Sequence, residues 1–134
     1  MIKIQKKDFN IDIEIKKIKL NYSNIGATSI FLGNVRNVNE NQKVKFIELE
    51  VYKDMAIKTL DTICLKAKKK WNLIDTLIIH RYGKLNINDK IVLVAVFSSH
   101  RKDSFEACNY IMNYLKKDAP FWKKEYYNKK YKWL

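Results

Sequence analysis

The stretch Lys90-Ile91-Val92-Leu93-Val94-Ala95-Val96-Phe97-Ser98-Ser99-His100-Arg101 decides how this chain is read. Ile91 to Phe97 is its longest unbroken apolar run, far short of the roughly 20 residues a bilayer-crossing helix needs, so Lys90 to Ser98 reads as a strand. Beyond the serines the period changes. A helix is expected from about Lys102 to Lys117, stopped by Pro120. At about 100° per residue, Phe105, Cys108, Ile111, Met112 and Leu115 share one apolar stripe, with Arg101 and Lys116 along its border. Upstream, Thr76 to Tyr82 predicts a second strand, and Gly83 to Asp89, with its Gly and Asn residues, suits a hairpin between the two.

The same reading extends outward in both directions. Ile2 to Lys7 alternates as a short strand, and Asn10 to Leu20 favours a helix capped by Asn10 over a period-two strand. Gly26 opens a β-rich run from Ala27 to Arg36 that ends in a polar loop, Asn37 to Gln42. Lys43 to Val51 predicts a strand and Asp54 to Trp71 a long helix, with Ala56, Leu60, Ile63, Cys64, Ala67 and Trp71 on one stripe. The tail from Phe121 to Leu134 is aromatic and basic, with Phe121, Lys123 and Glu125 on one face if it is extended. Mixed strands and helices with antiparallel hairpins indicate an α+β domain.

The length of 134 residues, with 47% hydrophobic and 13% aromatic content, fits one domain spanning 1–134 with enough apolar surface to fold. No apolar stretch follows the charged start Met1-Ile2-Lys3-Ile4-Gln5-Lys6-Lys7, so no membrane association and a cytoplasmic location are expected. Cys64 and Cys108 have no nearby Cys or His partner, which removes a disulfide framework and a zinc cluster from consideration; no metal and no cofactor are expected.

The net charge of +13 admits nucleic acid, an acidic surface or an anionic substrate. Only three of the 27 basic residues are arginine: Arg36, Arg81 and Arg101. In a chain that uses lysine by default, each arginine is a candidate for planar, two-point recognition of phosphate or carboxylate.

His100 and Arg101 stand where a strand passes into a helix, and free N–H groups and the helix dipole there favour an anion. The plainer reading has His100 cap the helix and Arg101 pair with Asp103 or Glu50. Lys116 either snorkels at the edge of the core or, partly desolvated, has a lowered pKa and serves as acid, base or nucleophile. Arg36, at a strand end, has the same two readings as Arg101. Fifteen residues at about 1.5 Å each place Arg101 roughly 22 Å from Lys116 along the helix. If both act on one small substrate, a second subunit must supply one of them. His80-Arg81-Tyr82-Gly83 repeats the His-Arg pair, but no helix follows it. A structural role is expected there, with Gly83 enabling the turn. Cys108, buried in the stripe, is not expected to act as a sulfur nucleophile.

Taken in order, Gly26-Ala27, Phe31-Leu32-Gly33-Asn34-Val35-Arg36, Leu49-Glu50-Val51-Tyr52 with Met55-Ala56, His80-Arg81-Tyr82-Gly83, Ser99-His100-Arg101 with Phe105-Glu106-Ala107-Cys108, and Leu115-Lys116 with Ala119-Pro120-Phe121-Trp122-Lys123-Lys124-Glu125 resemble the large, catalytic subunit family of molybdopterin synthase. The resemblance runs from about residue 26 to 125. It implies an α/β-hammerhead fold with an antiparallel sheet and two long helices, and a homodimer within a heterotetramer. It also implies a small ubiquitin-like sulfur-carrier subunit whose C-terminal Gly-Gly tail, as a thiocarboxylate, donates sulfur to cyclic pyranopterin monophosphate. By matching position, Lys116 and Lys123 would be catalytic, Arg36, His100 and Arg101 would bind substrate, and Phe31 and Met112 would line the pocket. In the family the His-Arg pair reaches the site from the neighbouring subunit. The competing class is a basic α+β nucleic-acid-binding module with Trp122, Tyr126, Tyr127, Tyr131 and Trp133 as a stacking surface.

Overall fold

The computed structural model describes residues 1–127 and 130–134; Asn128 and Lys129, in the basic aromatic tail, lie outside the described residues. In chain order the elements are β1 (Ile2–Gln5), α1 (Ile11–Lys19), β2 (Ala27–Asn34), β3 (Val38–Asn39), β4 (Gln42–Lys43), β5 (Phe46–Val51), α2 (Lys53–Trp71), β6 (Asp75–Arg81), β7 (Gly83–Asn86), β8 (Lys90–Ser98), α3 (Arg101–Asp118), β9 (Phe121–Tyr127) and β10 (Lys130–Trp133). The first sheet has the order β1-β6-β8-β2, the second β10-β9-β5-β7, and β3 pairs with β4 alone. Among the described residues only the β1–β6 pair is parallel; the other pairings are antiparallel.

β8 is central to the first sheet and buried from Val92 through Ser98, which explains its unbroken apolar run: helices cover both of its faces. α2 and α3 pack over one face, joining Ala56, Leu60, Ile63 and Ala67 to Val92, Val94, Val96, Ala107, Ile111 and Leu115. α1 packs over the other face, where Ile18 meets Leu77, Ile79, Leu93 and Phe97. Asn10 caps α1 as expected, its side-chain oxygen accepting the Ile13 N–H at 3.1 Å. The second sheet has its own small core of Val35, Val44, Ile47, Leu49 and Leu85.

Three local expectations change. Gly83 to Asp89 is not a simple hairpin. β6 and β8 are antiparallel neighbours, but the chain between them passes through β7, which pairs with β5 in the second sheet. Gly83, at φ +86°, makes the turn, and burial of Leu85 draws the segment across. The polar loop 37–42 contains all but Lys43 of a tight β3–β4 hairpin, with Glu40 and Asn41 in the left-handed region at its tip. Phe105 is 66% exposed. The buried face of α3 is centred on Ser104, Ala107, Cys108, Ile111 and Leu115, so Phe105, one residue of rotation away from Ser104, points outward.

Candidate functional site

The placement of the candidate cations follows from how α3 lies on β2. The Ser29 and Ser104 hydroxyls meet at 2.7 Å, and further along the backbone of Phe31 lies beside the thiol of Cys108. Two residues of strand thus match four of helix, and at about 3.4 Å and 1.5 Å per residue these are nearly equal lengths. β2 and α3 therefore run in parallel, side by side. Continuing that register puts Met112 beside Gly33 and Lys116 beside the turn that carries Arg36.

His100 and Arg101 lie at the opposite end. β2 pairs with β8 from Ala27↔Ser98 to Asn34↔Lys90, so the ends of this ribbon are separated by roughly 27 Å. Arg36 follows the Lys90 end, while His100 and Arg101 follow Ser98. Their junction is held tightly, with Gly26 N–H donating to the Ser98 carbonyl at 2.9 Å. A Cβ on Gly26 would lie 2.1 Å from the Ser99 carbonyl oxygen, so no larger residue fits without moving the strand-to-helix turn. His100 occupies the N-cap position of α3 without a side-chain cap bond. Arg36, His100, Arg101 and Lys116 are all exposed, and none forms an ion pair among the described residues. The expected pairing of Arg101 with Asp103 or Glu50 is therefore absent among them. Lys116 is not desolvated by its own chain, because it sits on the outward side of the last turn of α3.

Lys123 projects from β9, opposite Leu49 of β5. Its ammonium lies 3.9 Å from Glu125, a carboxylate only 3% exposed. The other oxygen of Glu125 accepts from Asn39 Nδ2 at 2.8 Å and from the Tyr127 hydroxyl. That bond to Glu125 pushes the Tyr127 phenol up to about 12. Asn39 is three residues from Arg36, so Glu125 ties the strand bearing Lys123 to the loop bearing Arg36. The sequence signal was weak: period two placed Glu125 on the face of Lys123 but did not show that it is buried. Arg36, Lys116 and Lys123 thus gather at one end of the molecule, Phe31 (40% exposed) and the half-buried Met112 lie along the same β2–α3 edge, and His100 and Arg101 stand apart.

Of the other singled-out residues, the two cysteines fall into the interior and the tail aromatics lie on the surface. Cys64 and Cys108 are buried, and burial raises both thiols above their ordinary range, which disfavours the thiolate. Lys124 lies over the rings of Tyr131 at 4.1 Å and Trp133 at 4.8 Å, and Tyr126 stacks on Phe46 at 4.3 Å. Those rings are engaged within the chain. No helix among the described residues is long and apolar enough to cross a membrane.

Comparison with known proteins identifies the family and the fold. The model of the MoaE protein family matches residues 4–118. The molybdopterin synthase catalytic subunit of Ralstonia nicotianae is 48% identical over 124 residues, covering 92% of this chain and 70% of that one. Among solved structures, molybdopterin synthase from Staphylococcus aureus superposes with a TM-score of 0.90 at 34% identity, covering 98% of this chain and 95% of that one. A Helicobacter pylori chain, solved as a complex of subunits 1 and 2 of molybdopterin-converting factor, shares the fold with a TM-score of 0.80 at 21% identity, covering 97% of this chain and 87% of that one.

Proposed function

The chain belongs to the MoaE protein family, whose relatives are catalytic subunits of molybdopterin synthase, enzymes of molybdopterin biosynthesis, and from that premise we propose how its own residues work. The sulfur donor is the C-terminal thiocarboxylate of a small ubiquitin-like subunit, and the acceptor is cyclic pyranopterin monophosphate. A thiocarboxylate is already a nucleophile, so the chain need not contribute a cysteine. Its sulfur forms a bond to a side-chain carbon of the pterin as a carbon–oxygen bond at that carbon breaks, the oxygen leaving on the phosphate or as water. A second water then cleaves the acyl–sulfur bond, leaving an ordinary carboxylate on the small subunit and the sulfur on the pterin. Two such transfers give the dithiolene.

The chain's task is to bring two anions together and to manage protons. Arg36, His100 and Arg101 bind the phosphate and pterin. Lys116 moves a proton or forms the covalent link near the incoming tail, and Lys123 supports developing negative charge. Phe31 and Met112 line the path of the tail.

The observation that carries this reading is the separation of the cations: Arg36 and Lys116 at one end of the β2–α3 edge, His100 and Arg101 at the other, all exposed and without ion pairs among the described residues. Such an arrangement makes chemical sense in a homodimer whose second copy brings its His100–Arg101 to the first copy's Lys116. The partner reading is supported by the fold shared with the Helicobacter pylori protein, which was solved with its second subunit. A cytoplasmic location and a single domain over 1–134 accompany it. For the nucleic-acid alternative, Tyr126 is stacked on Phe46 and Lys124 lies over Tyr131 and Trp133, while Trp122, Tyr131 and Trp133 stay exposed; tight, salt-sensitive oligonucleotide binding is the result that would favour it.

The test mixes the purified chain with thiocarboxylated small subunit and cyclic pyranopterin monophosphate and measures dithiolene product. Formation of product is expected; its absence with a competent partner overturns the reading. Arg101→Ala and Lys116→Ala proteins are each expected to be inactive. Combined and allowed to exchange subunits, they should recover about a quarter of wild-type activity, because half the dimers are mixed and each mixed dimer has one intact site. No recovery on mixing means that the two residues act within one chain or not at all.

A further inference from the structure

The site described so far leaves His80 and Arg81 unused, yet both are buried and bonded within the fold. They end β6 at the point where the chain leaves the first sheet for the second. Being adjacent on a strand, they point to opposite faces. His80, 4% exposed, lies on the face of α2 and α3; its ring stacks on Phe121, centroids 3.6 Å apart and planes 18° from parallel. Phe121 is the first residue of β9, in the other sheet, between Lys116 and Lys123 in the chain. His80 Nδ1 lies 2.8 Å from the Arg81 carbonyl, which can only accept, so Nδ1 carries the proton and the ring is fixed in tautomer and in plane. The stack thus joins the two sheets at the root of the strand that bears Lys123.

Arg81, 9% exposed, does the equivalent on the other face. Its Nε donates to the Lys6 carbonyl and one terminal nitrogen to the Lys90 carbonyl, both at 3.1 Å. Lys90 begins β8 opposite Asn34, and the turn just before it holds the residue preceding Arg36 from both sides. Val35 N–H donates to the Asp89 carbonyl at 3.0 Å, and Asn88 N–H donates to the Val35 carbonyl at 2.9 Å. A guanidinium that fixes Lys90 therefore fixes the base from which Arg36 projects.

We propose that His80 and Arg81 are positioning residues for the sulfur-transfer site, His80 setting Lys123 through Phe121 and Arg81 setting Arg36 through the Lys90–Val35 turn. The inference rests on the roles given above to Lys123 and Arg36. It makes a prediction that a merely structural pair does not. The two residues control different cations, so disturbing them changes different kinetic constants.

The experiment measures kcat and KM for cyclic pyranopterin monophosphate, with thiocarboxylated small subunit saturating, for His80→Leu, His80→Phe, Phe121→Leu and Arg81→Lys, alongside thermal midpoints. His80→Leu and Phe121→Leu, which remove the planar stack, are expected to lower kcat roughly 10- to 100-fold with KM little changed. His80→Phe, which restores a flat ring, is expected to recover most of kcat. Arg81→Lys, unable to span both carbonyls, is expected to raise KM about tenfold with kcat little changed. Should His80→Leu fail to fold, Phe121→Leu breaks the same stack from its half-buried side and decides the matter. The proposal is overturned if all four variants shift kcat and KM together in proportion to their thermal midpoints, if His80→Phe is no better than His80→Leu, or if none differs from wild type. Lys123→Ala and Arg36→Ala run in parallel separate the two layers. Activity retained in those proteins removes the underlying roles, whereas activity lost in them but retained in the His80 and Arg81 variants removes only the positioning.

Discussion

The molecule contains the same dipeptide twice, and the two copies have opposite fates. His80–Arg81 closes β6 and is buried, ring stacked and guanidinium bonded to two carbonyls. His100–Arg101 follows β8 and is exposed, with neither side chain in an ion pair among the described residues. Residue chemistry is identical, so the difference lies in what the chain does next. After β6 it crosses into a second sheet whose Phe121 covers His80, while Lys6 and Lys90, at the ends of the neighbouring strands of the first sheet, offer their carbonyls to Arg81. After β8 it turns away as a helix, leaving both side chains beyond the edge of the sheet, beside free N–H groups that attract an anion. An arginine held by two backbone carbonyls of the fold serves the fold; one whose donors are left open is available to a ligand.

Four measurements break or sharpen that contrast. Arg101→Ala is expected to lower kcat/KM between roughly 100- and 1,000-fold, by loss of charge-assisted contacts to substrate, while unfolding free energy stays within about 0.5 kcal/mol of wild type. Unchanged turnover would place the exposed pair outside the site. Arg81→Ala is expected to do the reverse on the stability axis, costing about 3 kcal/mol in urea unfolding because two carbonyls lose a charged donor. A cost below about 0.5 kcal/mol would mean that the buried arginine is dispensable.

The third measurement is acid stability. Burial depresses His80 from 6.5 to about 4, with a smaller opposing contribution from its bond to the Arg81 carbonyl. Between those values the unfolded chain binds a proton that the folded chain excludes, so stability falls as pH drops below 6.5 and this loss levels off near pH 4. The expected loss from this group is about 2 kcal/mol between pH 7 and pH 5, and His80→Phe should remove that part of the slope. An identical slope in the variant contradicts the burial argument.

The smallest effect concerns Asp8, whose carboxylate lies 3.8 Å from Arg81 and 3.0 Å from Lys90 but is 62% exposed. The hydrogen bond from Lys90 leads the causes that hold its carboxyl below the usual range. Asp8→Asn is expected to cost no more than roughly 0.5 kcal/mol, since an exposed pair is screened by water. A larger loss would shift credit for holding Arg81 from the carbonyls to the carboxylate.

Local patterns revealed much of this architecture because several elements carry their instructions within a few residues. β8 spans the expected Lys90 to Ser98, α3 starts at Arg101 rather than Lys102, and Asn10 caps α1 as its spacing predicts. The polar loop 37–42 hid a local hairpin, whereas the other misreadings depended on a partner distant in sequence. Gly83 to Asn86 looked like turn material because its strand character comes from pairing with β5, some 35 residues earlier. Phe105 fits a helical stripe by spacing, but the sheet surface beneath α3 selects the neighbouring rotation through Ser104. Glu125 shows the limit for the site. Tyr127 lies two residues along the same strand, but nothing there indicates that Asn39, 86 residues earlier, will help compensate its burial, and a buried acid reads as solvent-facing until that donor appears. Arg36, Lys116 and the His100–Arg101 pair were easier to find because each lies at the end of an element or on the border of a stripe.

The parallel run of β2 beside α3 has a consequence for dilution. If each reaction centre draws one end of that edge from either copy, an isolated copy holds two halves and no whole. Turnover per milligram should then be constant in concentrated solution and collapse below the dissociation constant of the pair, with both centres extinguished together rather than one after the other.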